Sequence, residues 1–344
     1  MITAVLYRGQ SMQIYTPNET KYLASAQKGN SEAFTALVEP YRKPLLVHCY
    51  RLSGSLDDAE DIVQETFVRA WHKINAFLGE GSFRNWLYTI ATRLWLDEVR
   101  KHKKRVLLPL DGVPSDPTSP PAPPSAPASW LDPLPNSWLA KTDRSAESSY
   151  ELQEDVSLAF MVALQKLKAR QRVVLILRLV FQWRAEEVAE TLGVTVASVN
   201  NLLYRARKNL KVAQYDEAPI PKQQLEQFVH AWEAGDVATL IELLHDKATF
   251  AMPPMGVWYA GRQAIGQALQ NFVLTPENNW KLGHTMANGR SALAIYQCTK
   301  QAPTYQAFGL ILPIFSDEEG RITEITAFLS PQLIERFGLP MQLD

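Results

Sequence analysis

The sequence predicts a multidomain chain: two all-α modules joined by a stiff tether, then an α+β domain in which three helices pack on a curved mixed sheet. Three observations predict it. Proline crowds into VPSDPTSPPAPPSAPASWLDPLPNSW (113–138), a second break YDEAPIPK falls at 215–222, and strand-like runs follow only that second break. The divisions are an N-terminal tail at 1–20, a helical module at 21–108, an acidic proline-rich linker at 109–150, a second helical module at 151–214 and the α+β domain at 218–344.

Bulk properties agree with several cores. The chain has 344 residues, too many for one ordinary domain, with 46% hydrophobic and 21% charged residues, enough apolar material to pack. Its net charge of -1 hides a segregation: residues 1–110 carry +4, 111–154 carry −5, 155–215 carry +6 and 216–344 carry −6. The longest apolar runs, near 173–180 and 308–315, fall short of the roughly 20 residues that span a bilayer. The opening MITAVLYRGQSMQIY shows no basic region followed by an apolar block, and Cys49 and Cys298 have no metal-ligand spacing. The expectation is a cytoplasmic protein without metal or cofactor.

In the first module, DDAEDIVQETFVRAWHKI (57–74) sets Ala59, Ile62, Val63, Phe67, Ala70 and Ile74 on one helix face, and Ser55 precedes Asp58 by a capping interval. Its other face, with Asp61, Gln64, Glu65, Val68, Arg69 and His72, suits a protein partner's basic helices, or is simply a solvated face. Next, FRNWLYTIATRLWLDEVRKHKKR (83–105) buries Phe83, Leu87, Ile90, Ala91 and Leu94 and interleaves Trp86, Tyr88 and Trp95 with Arg84, Arg93 and Arg100. Basic residues grip phosphates and aromatic faces stack on unpaired bases, although aromatics at helical spacing are more often core.

The linker lacks backbone donors at its prolines and is kept solvated by Asp111, Asp116, Asp132 and Asp143, so it reads as a semi-rigid spacer; a PxxP ligand is the alternative. In the second module, Leu164, Leu167, Val173, Val174, Leu177 and Val180 supply a small core. EEVAETLGVTVASVNNLLYRARKNL (186–210) then places Val188, Ala189 and Leu192 on one helix and Val199, Leu203, Ala206 and Leu210 on the next. The two stripes close only if the chain reverses at Gly193, through positive φ, with Thr195 as N-cap. The far face carries Ala197, Asn201, Tyr204, Arg205 and Lys208, flanked by Ser198, Asn200 and Arg207. Small residues admit the backbone to base edges, asparagine reads adenine, and cations hold phosphates. A helical hairpin with a solvated basic face is the bland alternative.

At these residues a resemblance appears. HCYRLSGSLDDAEDIVQETFVRAWHKI and SFRNWLYTIATRLWLDEVR resemble region two of extracytoplasmic function (ECF) sigma factors, and LQKLKARQRVVLILRLVFQWRAEEVAETLGVTVASVNNLLYRARKNL resembles region four of the sigma-70 family. The resemblance covers about 24–106 and 155–211, in the family's order, and departs from its pattern at Arg93, Asn201 and Leu202. It implies that Asp58, Asp61, Gln64, Glu65 and Arg69 meet core RNA polymerase. It implies that Arg84, Asn85, Trp86, Tyr88, Arg93, Arg100, Lys103 and Lys104 melt and read the downstream promoter element. The upstream element falls to Arg184, Thr195, Ser198, Asn200, Asn201, Tyr204, Arg205, Arg207 and Lys208. The linker would thread near the polymerase active-site cleft or RNA exit channel as a polyanion.

In the last domain, RSALAIYQCTK, TYQAFGLILPIF and RITEITAFLS read as strands, with a turn at DEEG. AWEAGDVATLIELLHDKATFAMPP and WYAGRQAI resemble the SnoaL-like group of the nuclear-transport-factor-two superfold, which implies a cone with a pocket whose ligand the sequence does not name. His245, His284, Asp246 and Tyr296 are the acid/base candidates there, but Asp246 and Asp236 suit turn and cap roles, and no catalytic residue is assigned. The opposite charges of this domain and of residues 155–215 predict docking between them. The leading expectation is an ECF sigma factor, not an enzyme, modulated by its C-terminal domain. The alternatives are a polymerase-independent helix-turn-helix regulator that senses a small ligand, and an enzyme fused to a DNA-binding anchor.

Overall fold

The computed structural model describes residues 17–77, 82–102, 110, 112–121, 130–139, 156–210, 222–300, 302–315 and 320–343. The first module has four helices, α1 (Pro17–Ala26), α2 (Ser31–Ser53), α3 (Leu56–Lys73) and α4 (Phe83–His102). Ser55 accepts the Asp58 N–H at 3.3 Å and so caps α3, and all six apolar residues expected on its inner face are buried. α2 ends on Gly54 at φ 76, in the left-handed region that glycine enters without strain.

The second module holds α5 (Leu158–Gln165), α6 (Ala169–Leu175), which continues as a π-turn to Val180, α7 (Ala185–Leu192) and α8 (Val196–Asn209). Gly193 has φ 63, and Thr195 accepts the Ser198 N–H at 3.2 Å, so the reversal between α7 and α8 forms as the glycine and the cap dictate. Val199, Leu203 and Ala206 bury the inner stripe of α8.

The third domain opens with α9 (Lys222–Glu233) and α10 (Val237–Leu243), continues with β1 (Leu244–Ala251), β2 (Trp258–Ala260) and α11 (Arg262–Ala268), and then runs through β3 (Asn278–Ala287), β4 (Arg290–Thr299), β5 (Ala302–Phe315) and β6 (Ile322–Phe328). α12 (Pro331–Arg336) and β7 (Gln342–Leu343) follow. The sheet order is β2-β1-β6-β5-β4-β3, with β7 on β5; β1 and β6 are parallel and the other pairs antiparallel. A fourth helix, α12, thus joins the three expected. β3 escapes the sequence reading because only Trp280, Leu282 and Ala287 of this edge strand are buried, and residues 317–319 of the expected DEEG turn lie outside the described residues.

Alternation along β4 separates two cores. Leu293 and Ile295 face α9–α11 beside Phe228, Trp232, Phe250 and Tyr259. Ala292, Ala294 and Tyr296 face the other way, with Leu333 and Ile334 of α12, into a core continuous with both helical modules and with Leu131 and Leu134 of the linker. The cone is therefore packed on the helices through the outer face of its sheet.

Candidate nucleic-acid interface

α8 presents the surface that a recognition helix needs. Thr195, Ser198, Asn200, Asn201, Tyr204, Arg205, Arg207 and Lys208 are all exposed, and Tyr204 keeps 67% of its surface in solvent although it is a large aromatic. Arg184 is exposed at the start of α7, where Glu187 accepts its backbone N–H at 2.7 Å. The eight α8 residues lie together, with no described element over them.

α3 presents the acidic face. Asp61, Gln64, Glu65 and Arg69 are exposed, Val68 is 46% exposed, Asp58 is half-buried, and Arg69 pairs with Glu65 at 2.7 Å. Between this face and the second module runs a groove of about 680 Å³, lined by Asp58, Asp61, Glu65, Trp95, Lys166 and Lys168.

α4 is different, because the second module covers it. Arg93 donates from Nε to the Thr191 carbonyl at 2.9 Å and from Nη2 to the Glu190 carbonyl at 3.0 Å. A cation thus sits on the carbonyl end of α7, where the helix dipole is negative. Asn85 donates to Glu187 at 3.5 Å, and the hydroxyls of Thr89 and Thr191 lie 3.1 Å apart. Arg84 stacks over Tyr88 at 5.2 Å and over Phe181, from the second module, at 5.5 Å. Trp86 is half-buried against Phe77 and Phe83. Arg100 is exposed beside Asp97 at 3.3 Å, and Lys103 and Lys104 lie outside the described residues.

Tyr88 needs a correction. It is 1% exposed, wedged between His48 and Phe181, so in this arrangement it cannot stack on a base. Its position on α4 turns it toward α2, where aromatic burial outweighs exposure. His48 beside it is held neutral: burial first, then Arg51 and Arg84, lower its pKa to about 3.

Four residues that sequence reasoning missed hold the modules together. Arg172 of α6 is buried and donates to the carbonyls of Leu52, Gln165 and Leu167, with its guanidinium 5.4 Å from the Trp95 ring. Asn288, at φ 51 in the β3–β4 turn, accepts the Leu134 N–H at 2.8 Å and donates to the Val156 carbonyl at 2.7 Å and the Tyr50 hydroxyl at 3.2 Å. Asp132 accepts the Leu56 N–H at the start of α3 at 2.9 Å. Burial raises its pKa to about 6, with the Leu56 bond and Arg336 opposing and Asp57 and Asp58 adding to the rise. Arg336 of α12 pairs with Asp57 and Glu60 of α3. For these four, the one local signal that sequence reasoning could have used is the Asn288–Gly289 pair, which favours a tight hairpin turn.

These ion pairs join a basic residue of the acidic domain, Arg336, to the acidic α3 of the first module, and Asn288 of the same domain reaches the start of the second module at Val156. The acid/base candidates do not converge. His245 and Asp246 lie on β1, where Asp246 pairs with Arg262 at 3.0 Å; His284 is exposed on β3, four strands away across the sheet; and Tyr296 faces the outer core. Among the described residues no cluster could hold a metal ion, and no helix is long and apolar enough to cross a membrane.

Comparison with known proteins matches residues 37–105 to Sigma-70 region 2, 157–210 to Sigma-70, region 4, and 225–325 to the SnoaL-like domain. The ECF RNA polymerase sigma factor SigG of Mycobacterium tuberculosis is 37% identical over 354 residues, covering 99% of this chain and 92% of the relative. SigW of Bacillus subtilis, also an ECF RNA polymerase sigma factor, is 29% identical over 56% of this chain and 94% of its own. The crystal structure of the Mycobacterium tuberculosis ECF sigma factor SigJ shares the fold, with TM-score 0.53 and 23% identity over 89% of this chain and 99% of that one.

Proposed function

The chain belongs to the ECF RNA polymerase sigma factors, and on that premise we propose how its surfaces divide the work. The acidic face of α3, with Asp58, Asp61, Gln64, Glu65 and Arg69, binds core polymerase. The basic face of α8, with Arg184 at the start of α7, binds the upstream promoter element. α4 handles the downstream element through Arg84, Asn85, Trp86, Arg93, Arg100, Lys103 and Lys104. The C-terminal cone modulates these activities, and the chain carries out no chemistry of its own.

The observation that carries the reading is the contrast between α8 and α4. α8 is open, whereas Arg93 and Asn85 of α4 are engaged with α7. One set of DNA contacts is available while the other is held, so this arrangement is a closed state that must open before both elements are grasped together. The cone supports closure, since Asn288 touches the first module, the linker and the start of the second module at one point.

Co-purification with core polymerase tests the assignment of α3. Asp61→Lys with Glu65→Lys should abolish association, because two added cations would face the partner's basic surface. Undiminished association would remove α3 from the interface.

A further inference from the structure

The linker rests on the cone. At residues 112–121 the Ser115 N–H donates to the Trp258 carbonyl of β2 at 2.7 Å, and Asn271, just after α11, donates its side-chain amide to the Pro117 carbonyl at 3.2 Å. β2 is an edge strand, so the first bond adds linker backbone to an open sheet edge. Asp116 shapes the segment between them: its carboxylate accepts the Thr118 N–H at 2.9 Å and the hydroxyls of Thr118 at 2.7 Å and Ser119 at 3.2 Å. Further along, the Trp130 ring covers Gly256, and Asn136 accepts the Gly289 N–H at 2.8 Å.

Net charge cannot cause this docking. Residues 111–154 carry −5 and residues 216–344 carry −6, so the two repel at long range. Backbone hydrogen bonds and ring packing hold them against that repulsion.

We propose that the β2–α11 edge is a docking site for this chain's own Ser115–Thr118 segment, and that the cone withholds the linker from polymerase until the segment is released. The inference rests on the sigma-factor reading. Docking also sets reach. The 54 residues from the end of α4 to Val156 could extend to about 190 Å, whereas the 13 up to Ser115 allow only about 45 Å between α4 and the cone. Since the 12 residues from Leu210 to Lys222 allow only about 40 Å between α8 and the cone, a docked linker limits how far the two DNA-binding modules can part.

The test is a reversible lock in the full chain: Pro117→Cys with Asn271→Cys, in a Cys298→Ser background. Docking predicts a disulfide in high yield on mild oxidation, read by mass spectrometry; failure to form it overturns the site. The oxidised protein should bind core polymerase as the reduced one does, yet give about tenfold less promoter transcript, restored by reductant. Equal transcript from both forms overturns the withholding role. Ser115→Pro, which deletes the donor N–H, should act in the opposite sense, with faster proteolysis of the linker and more transcript; unchanged values for both would also overturn it. An inactive reduced protein would indict the sigma-factor reading instead, with docking still judged by cross-link yield.

Discussion

Asn288, at the tip of the β3–β4 turn, donates its side-chain amide to the hydroxyl of Tyr50, 238 positions earlier in the chain, at 3.2 Å. The same amide group reaches the Val156 carbonyl, and its oxygen takes the Leu134 N–H. One buried side chain thus satisfies a residue of the first module, one of the linker and one at the start of the second module. Tyr50 in turn donates to the Asp132 carbonyl at 2.6 Å, which extends the network along the linker.

Asn288→Ala should open this junction. It leaves a buried N–H and a buried carbonyl without their partner, a cost of about 2–3 kcal/mol to docking. Amide exchange at Leu134 should accelerate while the interior of the cone, built on Trp232, Phe250 and Tyr259, keeps its protection. Unchanged exchange at Leu134 would remove Asn288 from this role.

Asp132 makes docking pH-dependent, and the sign follows from its raised pKa. A carboxyl whose pKa is about 6 when docked, against about 4 when free, binds protons more readily in the docked state. The docked state is thus most favoured below pH about 4 and loses about 3 kcal/mol as pH rises through 6. Asp132→Asn keeps an acceptor for the Leu56 N–H and should flatten this dependence. A variant with the same slope between pH 4 and 7 would show that another group titrates.

Arg172→Met should separate the helical modules. Removing the guanidinium leaves the buried Leu52 and Leu167 carbonyls without a donor, an expected cost of about 3 kcal/mol at the interface. Small-angle scattering should report a larger radius of gyration. An unchanged radius, with the fold intact by circular dichroism, would contradict this.

Arg205→Ala should weaken binding to upstream-element DNA and reduce the slope of log K against log salt by about 1. The residue is exposed on α8, outside the closed interface, so the loss should appear without change in compactness. Equal slopes would mean that this side chain does not touch phosphate.

The sequence made the helical modules legible where periodicity and caps agree. Ser55, Gly193 and Thr195 each do what their chemistry requires; the inner stripe of α3 is buried residue for residue, and that of α8 is buried at Val199, Leu203 and Ala206, with Leu210 half-buried just past the helix end. α2 was less visible because Pro40 and Pro44 interrupt the pattern of a helix that tertiary packing sustains. β3 was hidden by its exposed residues.

The contacts between modules left no local trace. Arg93 carries the same charge whether it faces a phosphate or the carbonyl end of α7, and Tyr88 has the same spacing whether it stacks on a base or packs on His48. Asp132 looked like a solvated linker charge, and only its neighbours in space raise its pKa. Periodicity reports which face is buried; it does not say against what.

Transcription reconstituted from core polymerase and this chain, on a promoter carrying both elements, tests the central claim most directly. The expected result is transcript that requires the chain and falls when either element is scrambled. Transcript no greater than core polymerase gives alone, with no association between the two proteins, would contradict the account.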